Sequence, residues 1–81
     1  MELDIRGTDA ATIRGYLRDL GGQEPTPSCV VGDGWQATLT EGEHRFSRWV
    51  FPRVIVTFDG EPDRVAEVAK RLRLLAFRGG G

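Results

Sequence analysis

Residues 35–58, WQATLTEGEHRFSRWVFPRVIVTF, contain the pattern that decides the fold. The first six alternate between apolar and polar side chains, which is the period of a β-strand with one buried face. We therefore predict a strand over 35–40. Glu41 and Gly42 are typical turn residues, so a turn should follow there and lead into a second strand over 43–50.

A proline interrupts the apolar run that comes next. Pro52 has no backbone N–H and cannot donate to a strand ladder, so it predicts a turn or a sharp kink at 51–53. A further strand is expected over 54–58. If the proline only kinks the chain, residues 43–58 form one bent strand.

The apolar pattern also predicts how these strands pair. Setting Thr40 opposite Glu43, and Val50 opposite Val54, keeps apolar residues together on one face. A slip of one residue would turn that face to water and bury charged groups. The core face of the sheet is then predicted to contain Cys29, Val31, Trp35, Ala37, Leu39, Phe46, Val50, Val54, Val56 and Phe58.

Working outward toward the N-terminus, the sequence predicts a strand, a helix and another strand. Residues 2–6 alternate as a strand does. Thr8 is a suitable N-cap for the helix that follows, and Gly21 suits its C-terminal end. Residues 23–27 are expected to be a connector, and residues 28–31 a short strand.

Toward the C-terminus, Pro62 suits the first turn of a final helix, whose apolar stripe repeats with helical spacing. The predicted order is β-α-β-β-β-β-α, which is the α+β class: a two-layer sandwich in which an antiparallel sheet carries two helices on one face. Residues 1–78 should form a single domain. Residues 79–81, three glycines, should be a flexible tail.

Composition narrows the classes of partner. The net charge is −1, and no run of like charges exceeds two residues, so neither a nucleic acid nor a membrane is expected as a partner. The first residues lack the pattern of a signal peptide, which favours a cytoplasmic protein. Arginine outnumbers lysine ten to one and asparagine is absent, as in a thermophile or in a GC-rich genome alone.

Residues with the chemistry of catalysis or metal binding are sparse. His44 is the single histidine and Cys29 the single cysteine, and no spacing resembles a metal site. We therefore expect no enzyme, no cofactor and no metal. A double-stranded RNA-binding domain needs a basic start to its second helix, whereas residues 59–63 are acidic. Binding of double-stranded RNA is therefore the least favoured function.

Two features do suggest a function. The outer face of the predicted sheet should expose Trp49 and Ile55 beside Arg45 and Arg53, as protein-binding surfaces do. The sequence also ends in glycines, and a Gly80-Gly81 terminus resembles those of ubiquitin and the sulfur carriers. In those proteins the tail leaves a strand of a β-grasp fold, whereas here it should leave a helix.

The element order and size, from Met-Glu-Leu-Asp-Ile-Arg-Gly at the start to Leu72-Arg73-Leu74-Leu75, resemble a known small domain. That domain is fused C-terminally to molybdopterin-synthase small-subunit-like, sulfur-carrier-like proteins of thermophilic bacteria, and its topology resembles that of the TATA-binding protein. The resemblance implies no activity and no site residues.

These observations predict a non-enzymatic interaction or accessory module, linked through the resemblance to molybdopterin or sulfur-carrier metabolism. Its partner is expected to be another protein, or a second copy bound through the open sheet face. The alternative is a small carrier protein activated at its C-terminal Gly-Gly.

Overall fold

The computed structural model describes residues 1–79 and confirms the α+β class and the order β-α-β-β-β-β-α. The elements are β1 (Glu2–Arg6), α1 (Ala10–Asp19), β2 (Gln23–Thr26), β3 (Cys29–Gly32), β4 (Trp35–Phe46), β5 (Trp49–Gly60) and α2 (Pro62–Gly79). The sheet is antiparallel throughout, in the order β1-β5-β4-β3-β2. Both helices cover the same face of it.

The strand boundaries differ from the predicted ones. Glu41 and Gly42 do not form a turn, because β4 runs through them to Phe46, and the hairpin closes instead at Ser47-Arg48. This two-residue loop needs a positive φ at its first position, and Ser47 has a φ of 57°. The predicted pairing within 35–50 is therefore wrong.

The observed register explains why the long hairpin is preferred. Ala37 lies opposite Phe58, and Leu39 lies opposite Val56, so apolar residues of β4 meet apolar residues of β5. The predicted register would have set Leu39 against His44. Cross-strand apolar pairs on a covered face stabilise a sheet more than a favourable local turn does.

Pro52 lies inside β5, and the strands on either side of it are one strand. Its carbonyl accepts a hydrogen bond from the Gly7 N–H at 2.8 Å, so its nitrogen points toward the β1 side of β5. β1 ends at Arg6, so the N–H that Pro52 lacks would have pointed past the end of the β1–β5 ladder. The hydrogen bonds between β4 and β5 do not involve it.

The core lies between the sheet and the helices. The predicted apolar stripe of the final helix is confirmed, with Leu72 fully buried, and α1 buries Ile13 and Leu17. On the sheet, Val30 is buried, whereas Cys29 is half-buried and Val31 is exposed, so the predicted phase of β3 is wrong by one residue. Phe46 and Val50 are also exposed rather than buried. Phe46 lies on the open face of the hairpin, and Val50 lies on the helix face but past the ends of the helices.

Two smaller differences concern the N-terminal half. Residues 23–26 form an edge strand, β2, instead of a connector. Asp9, rather than Thr8, caps α1, because its carboxylate accepts a 2.8 Å hydrogen bond from the Thr12 N–H. This bond lowers the pKa of Asp9, as expected for a carboxylate at a helix N-terminus.

Candidate functional site

The outer half of the β4–β5 hairpin, residues 41–53, is named the arm. β3 pairs with β4 only as far as Thr38, and β1 reaches only Arg53 on β5, so the arm is a two-stranded ribbon along most of its length. The molecule measures 41 Å along its longest axis and 24 and 20 Å along the others. A ribbon of this kind presents both of its faces to solvent.

Strand alternation divides the arm into two faces. Phe46 pairs with Trp49, and His44 with Phe51, on the side continuous with the open face of the sheet. Phe46 and Trp49 are 68% and 61% exposed, and Phe51 is 41% exposed. These three side chains, Phe46, Trp49 and Phe51, are named the aromatic strip.

Of the four predicted surface residues, Trp49, Arg53 and Ile55 share the face of the aromatic strip. Arg45 does not, because it pairs with Val50 on the opposite face. There its guanidinium lies 3.5 Å from the Glu43 carboxylate. Ile55 is half-buried in the middle of the open face, between Asp4 of β1 and Thr40 of β4.

Arg53 is held at the base of the arm by Asp4. The Arg53 Nε and Nη2 each donate to an Asp4 carboxylate oxygen at 2.9 Å, and Arg6 donates to the same carboxylate at 3.3 Å. The two hydrogen bonds from Arg53 are the main reason that the pKa of Asp4 lies below its ordinary value of 3.8. The same contact raises the pKa of Arg53. Arg53 therefore fixes β1 to β5 and is not a free cation.

This ion pair predicts a pH dependence. A carboxylate whose pKa is depressed by folding stabilises the fold above its unfolded pKa, and that stability is lost as the pH falls through the folded pKa. Asp4→Asn should therefore lower the free energy of unfolding slightly at neutral pH and make its decline below pH 3.8 shallower. Urea unfolding over a pH series measures this. Parallel curves for both proteins would show that the pair contributes nothing.

Phe46, Val50 and Phe51 belong to the exposed surface and were not predicted to. The sequence signal for them is limited to the run Trp49-Val50-Phe51, because three consecutive apolar residues of a strand cannot all face one core. The structure also exposes Met1, Leu74 and Phe77 beside β1 and α2. Gly80 and Gly81, the predicted carrier terminus, lie outside the described residues.

The two residues with catalytic potential are far apart. Cys29 is half-buried on β3 opposite Thr38, and His44 lies six positions farther along β4, on the arm. Six residues of strand span roughly 20 Å. Within residues 1–79, no group of three His, Cys, Asp or Glu side chains could hold a metal ion. In the same part of the chain, neither helix is long and apolar enough to cross a membrane.

Comparison with known proteins assigns the chain to a family. No functionally curated protein matches the sequence. A family model described as "Archaeal MoaD-like protein" matches residues 1–81, which is the whole chain. By this match the chain belongs to the archaeal MoaD-like protein family.

Proposed function

We propose that this chain is a non-enzymatic protein-binding module of a molybdopterin or sulfur-carrier system, and that it binds its partner through the aromatic strip. The observation that carries this proposal is the exposure of Phe46, Trp49 and Phe51 side by side on an arm that extends past the helices. Contiguous exposed aromatic residues are costly on a surface that binds nothing, and tryptophan is among the residues that contribute most at protein interfaces.

The charges around the strip indicate the chemistry of the partner. Arg53 is bound by Asp4, and Arg45 lies on the face of the arm opposite the aromatic strip, so neither places a free charge beside the rings. Arg48 is in the turn at the tip of the arm, and the ion pairs among residues 1–79 do not include it. A matching surface would offer an apolar cleft for the aromatic rings with an acidic side chain at its rim.

A non-enzymatic role fits the placement of Cys29 and His44. Nucleophilic catalysis needs a base within hydrogen-bonding distance of the nucleophile. The roughly 20 Å between the strand positions of these two residues is several times that distance. Among residues 1–77, whose side chains the structure describes, the buried ones are all apolar, so this interior supports a fold and provides no reactive group.

The family and the resemblance together support a link to sulfur carriers. The family is named as MoaD-like, and the resemblance is to a domain fused to sulfur-carrier-like proteins. The partner we propose is therefore the sulfur-carrier protein of the same organism or the enzyme that activates it. Self-association through this face would not use Arg45, because Arg45 lies on the opposite face of the arm.

The carrier alternative places the chemistry at Gly81. α2 continues through Gly79, so a helix leads to within two residues of the glycine that would be activated. An activating enzyme needs an unhindered extended terminus. That requirement supports the binding role over the carrier role.

Isothermal titration calorimetry of the protein with the sulfur carrier and, separately, with the activating enzyme measures the affinity for each. Trp49→Ser should weaken binding at least about 30-fold, as expected for an interface residue that contributes about 2 kcal/mol. Val31→Ser is the control, since it removes an exposed apolar side chain of β3, away from the arm, and should leave the affinity unchanged.

Two results would contradict the proposal. Equal affinity for the wild type and Trp49→Ser would remove the aromatic strip as the contact surface. An adenylate or thiocarboxylate at Gly81 after incubation with ATP and the activating enzyme, seen as a change in intact mass, would instead support the carrier role.

A further inference from the structure

β1 is an edge strand: within residues 1–79 it pairs with β5 on one side and with no strand on the other. The Met1 and Phe58 backbones each donate to the other, and the Gly7 N–H donates to the Pro52 carbonyl. The odd-numbered residues of β1 therefore bond to β5. The N–H and C=O groups of the even-numbered residues 2, 4 and 6 therefore point away from the sheet. Such a row is a template for one more strand.

The opposite edge of the sheet is protected, whereas β1 is not. β2 contains Pro25, which has no N–H, and its register with β3 is irregular. Prolines and irregular registers are the usual protection of edge strands. β1 pairs regularly along its whole length and contains no proline.

An apolar groove of about 620 Å³ lies beside this edge on the helix side. Met1, which precedes β1, and Leu3 of β1 form one wall of it. The other wall is one side of α2, with Leu74 and Phe77 61% and 67% exposed. Lys70 and Arg73 also line the groove, and long basic side chains can cover apolar surface with their stems while their charges stay in water.

We propose that a second copy of this chain occupies this edge, with the two β1 strands antiparallel about a two-fold axis and the two sheets joined into one of ten strands. Because the outward N–H and C=O groups belong to even-numbered residues, the hydrogen-bonded pairs must join even-numbered residues of one copy to even-numbered residues of the other. A register centred on Asp4 then sets Glu2 of each copy opposite Arg6 of the other. Two ion pairs form across the axis from a five-residue strand.

The same register brings one pair of like charges together, and Arg53 compensates for it. Asp4 meets Asp4 of the second copy, but each carboxylate is already bound by two N–H groups of Arg53 in its own chain. On the helix side, a two-fold axis brings each groove against its equivalent. Met1, Leu3, Leu74 and Phe77 of both copies then form one shared apolar layer.

Sedimentation velocity over a wide concentration range tests the dimer. The wild type should dimerise, and Leu74→Glu should weaken association at least about 30-fold by placing a charge in the shared layer. Because Leu74 is exposed in the monomer, this variant should keep its fold, which circular dichroism checks. Trp49→Ser should dimerise as the wild type does, which separates this inference from the proposed function.

Charge reversal tests the register. Glu2→Arg alone, or Arg6→Glu alone, should weaken the dimer about tenfold, and the double variant should restore it, since the reversed pair again joins opposite charges. A wild type that stays monomeric at every concentration, or a dimer that survives Leu74→Glu, would overturn the proposal. Amide shifts at Glu2, Asp4 and Arg6 of a monomer on adding the sulfur carrier would assign the edge to that protein instead.

Discussion

Trp35→Ala should destabilise the protein by about 3–5 kcal/mol, whereas Trp49→Ala should change the free energy of unfolding by less than about 0.5 kcal/mol. Trp35 is 5% exposed, and its indole ring lies directly against the backbone of Gly32. Removing it leaves a large cavity between β4 and the helices. Trp49 is 61% exposed on the arm and leaves none.

Chemical unfolding followed by circular dichroism measures both variants. A domain this small has a net stability of roughly 3–5 kcal/mol, so Trp35→Ala should be largely unfolded before denaturant is added. Trp35→Phe keeps a ring in the cavity and provides a variant that can be measured if the alanine variant does not fold. Equal losses for Trp35→Ala and Trp49→Ala would mean that the two faces of the hairpin are assigned the wrong way round.

Gly60→Ala should also be strongly destabilising, by about 2–4 kcal/mol. Gly60 has a φ of +135°, which other residues rarely adopt. A methyl group there would contact the Gly34 carbonyl oxygen and lie 2.8 Å from the Trp35 Cα. These are backbone atoms and cannot rotate away, so the end of the β4–β5 ladder would have to open.

Gly42→Ala is the matched control on the same hairpin. A methyl group at Gly42 would have no atom within 4 Å, and its φ is not positive. Alanine is favoured over glycine inside a strand by roughly 0.5–1 kcal/mol, so this variant should be neutral or slightly more stable. A large loss at Gly42 would indicate the turn that the sequence suggests there, and would contradict the long hairpin.

The fold class could be predicted because the apolar periods are clear. The stripe of α2 and the alternation in 35–40 and 54–58 appear in the structure as buried faces. The pairing could not be predicted from local signals. Gly42 and Pro52 are turn formers by composition, but contacts between residues almost twenty positions apart, such as Leu39 with Val56, decide the register.

The edge strands and the arm were harder to predict for a related reason. β2 has the sequence Gln-Glu-Pro-Thr, and its residues are exposed or half-buried, so burial leaves little pattern to detect. In the arm, Phe46 and Val50 resemble core residues in type. The exposure of Phe46 depends on the position of the hairpin turn, which puts it on the open face, and that of Val50 on where the helices end relative to the hairpin. Neither is encoded by the residue types in 43–51 alone.

Part of the candidate surface could be predicted from the sequence. Trp49 and Ile55 share one face of the sheet, as alternation indicated, and Trp49 is exposed. The sequence did not reveal that Asp4 binds Arg53, because the two residues are 49 positions apart. It also placed Arg45 beside Trp49, because the predicted strand boundaries put the hairpin turn in the wrong position.

The indole N–H groups of the two tryptophans provide the most direct test of the proposed binding role. In a ¹⁵N-labelled protein titrated with the unlabelled sulfur carrier or its activating enzyme, the Trp49 resonance should shift or broaden with saturation. The Trp35 resonance, buried in the core of the same molecule, should stay in place. Equal shifts at both tryptophans, or no shift at Trp49 while other residues respond, would contradict binding through the aromatic strip.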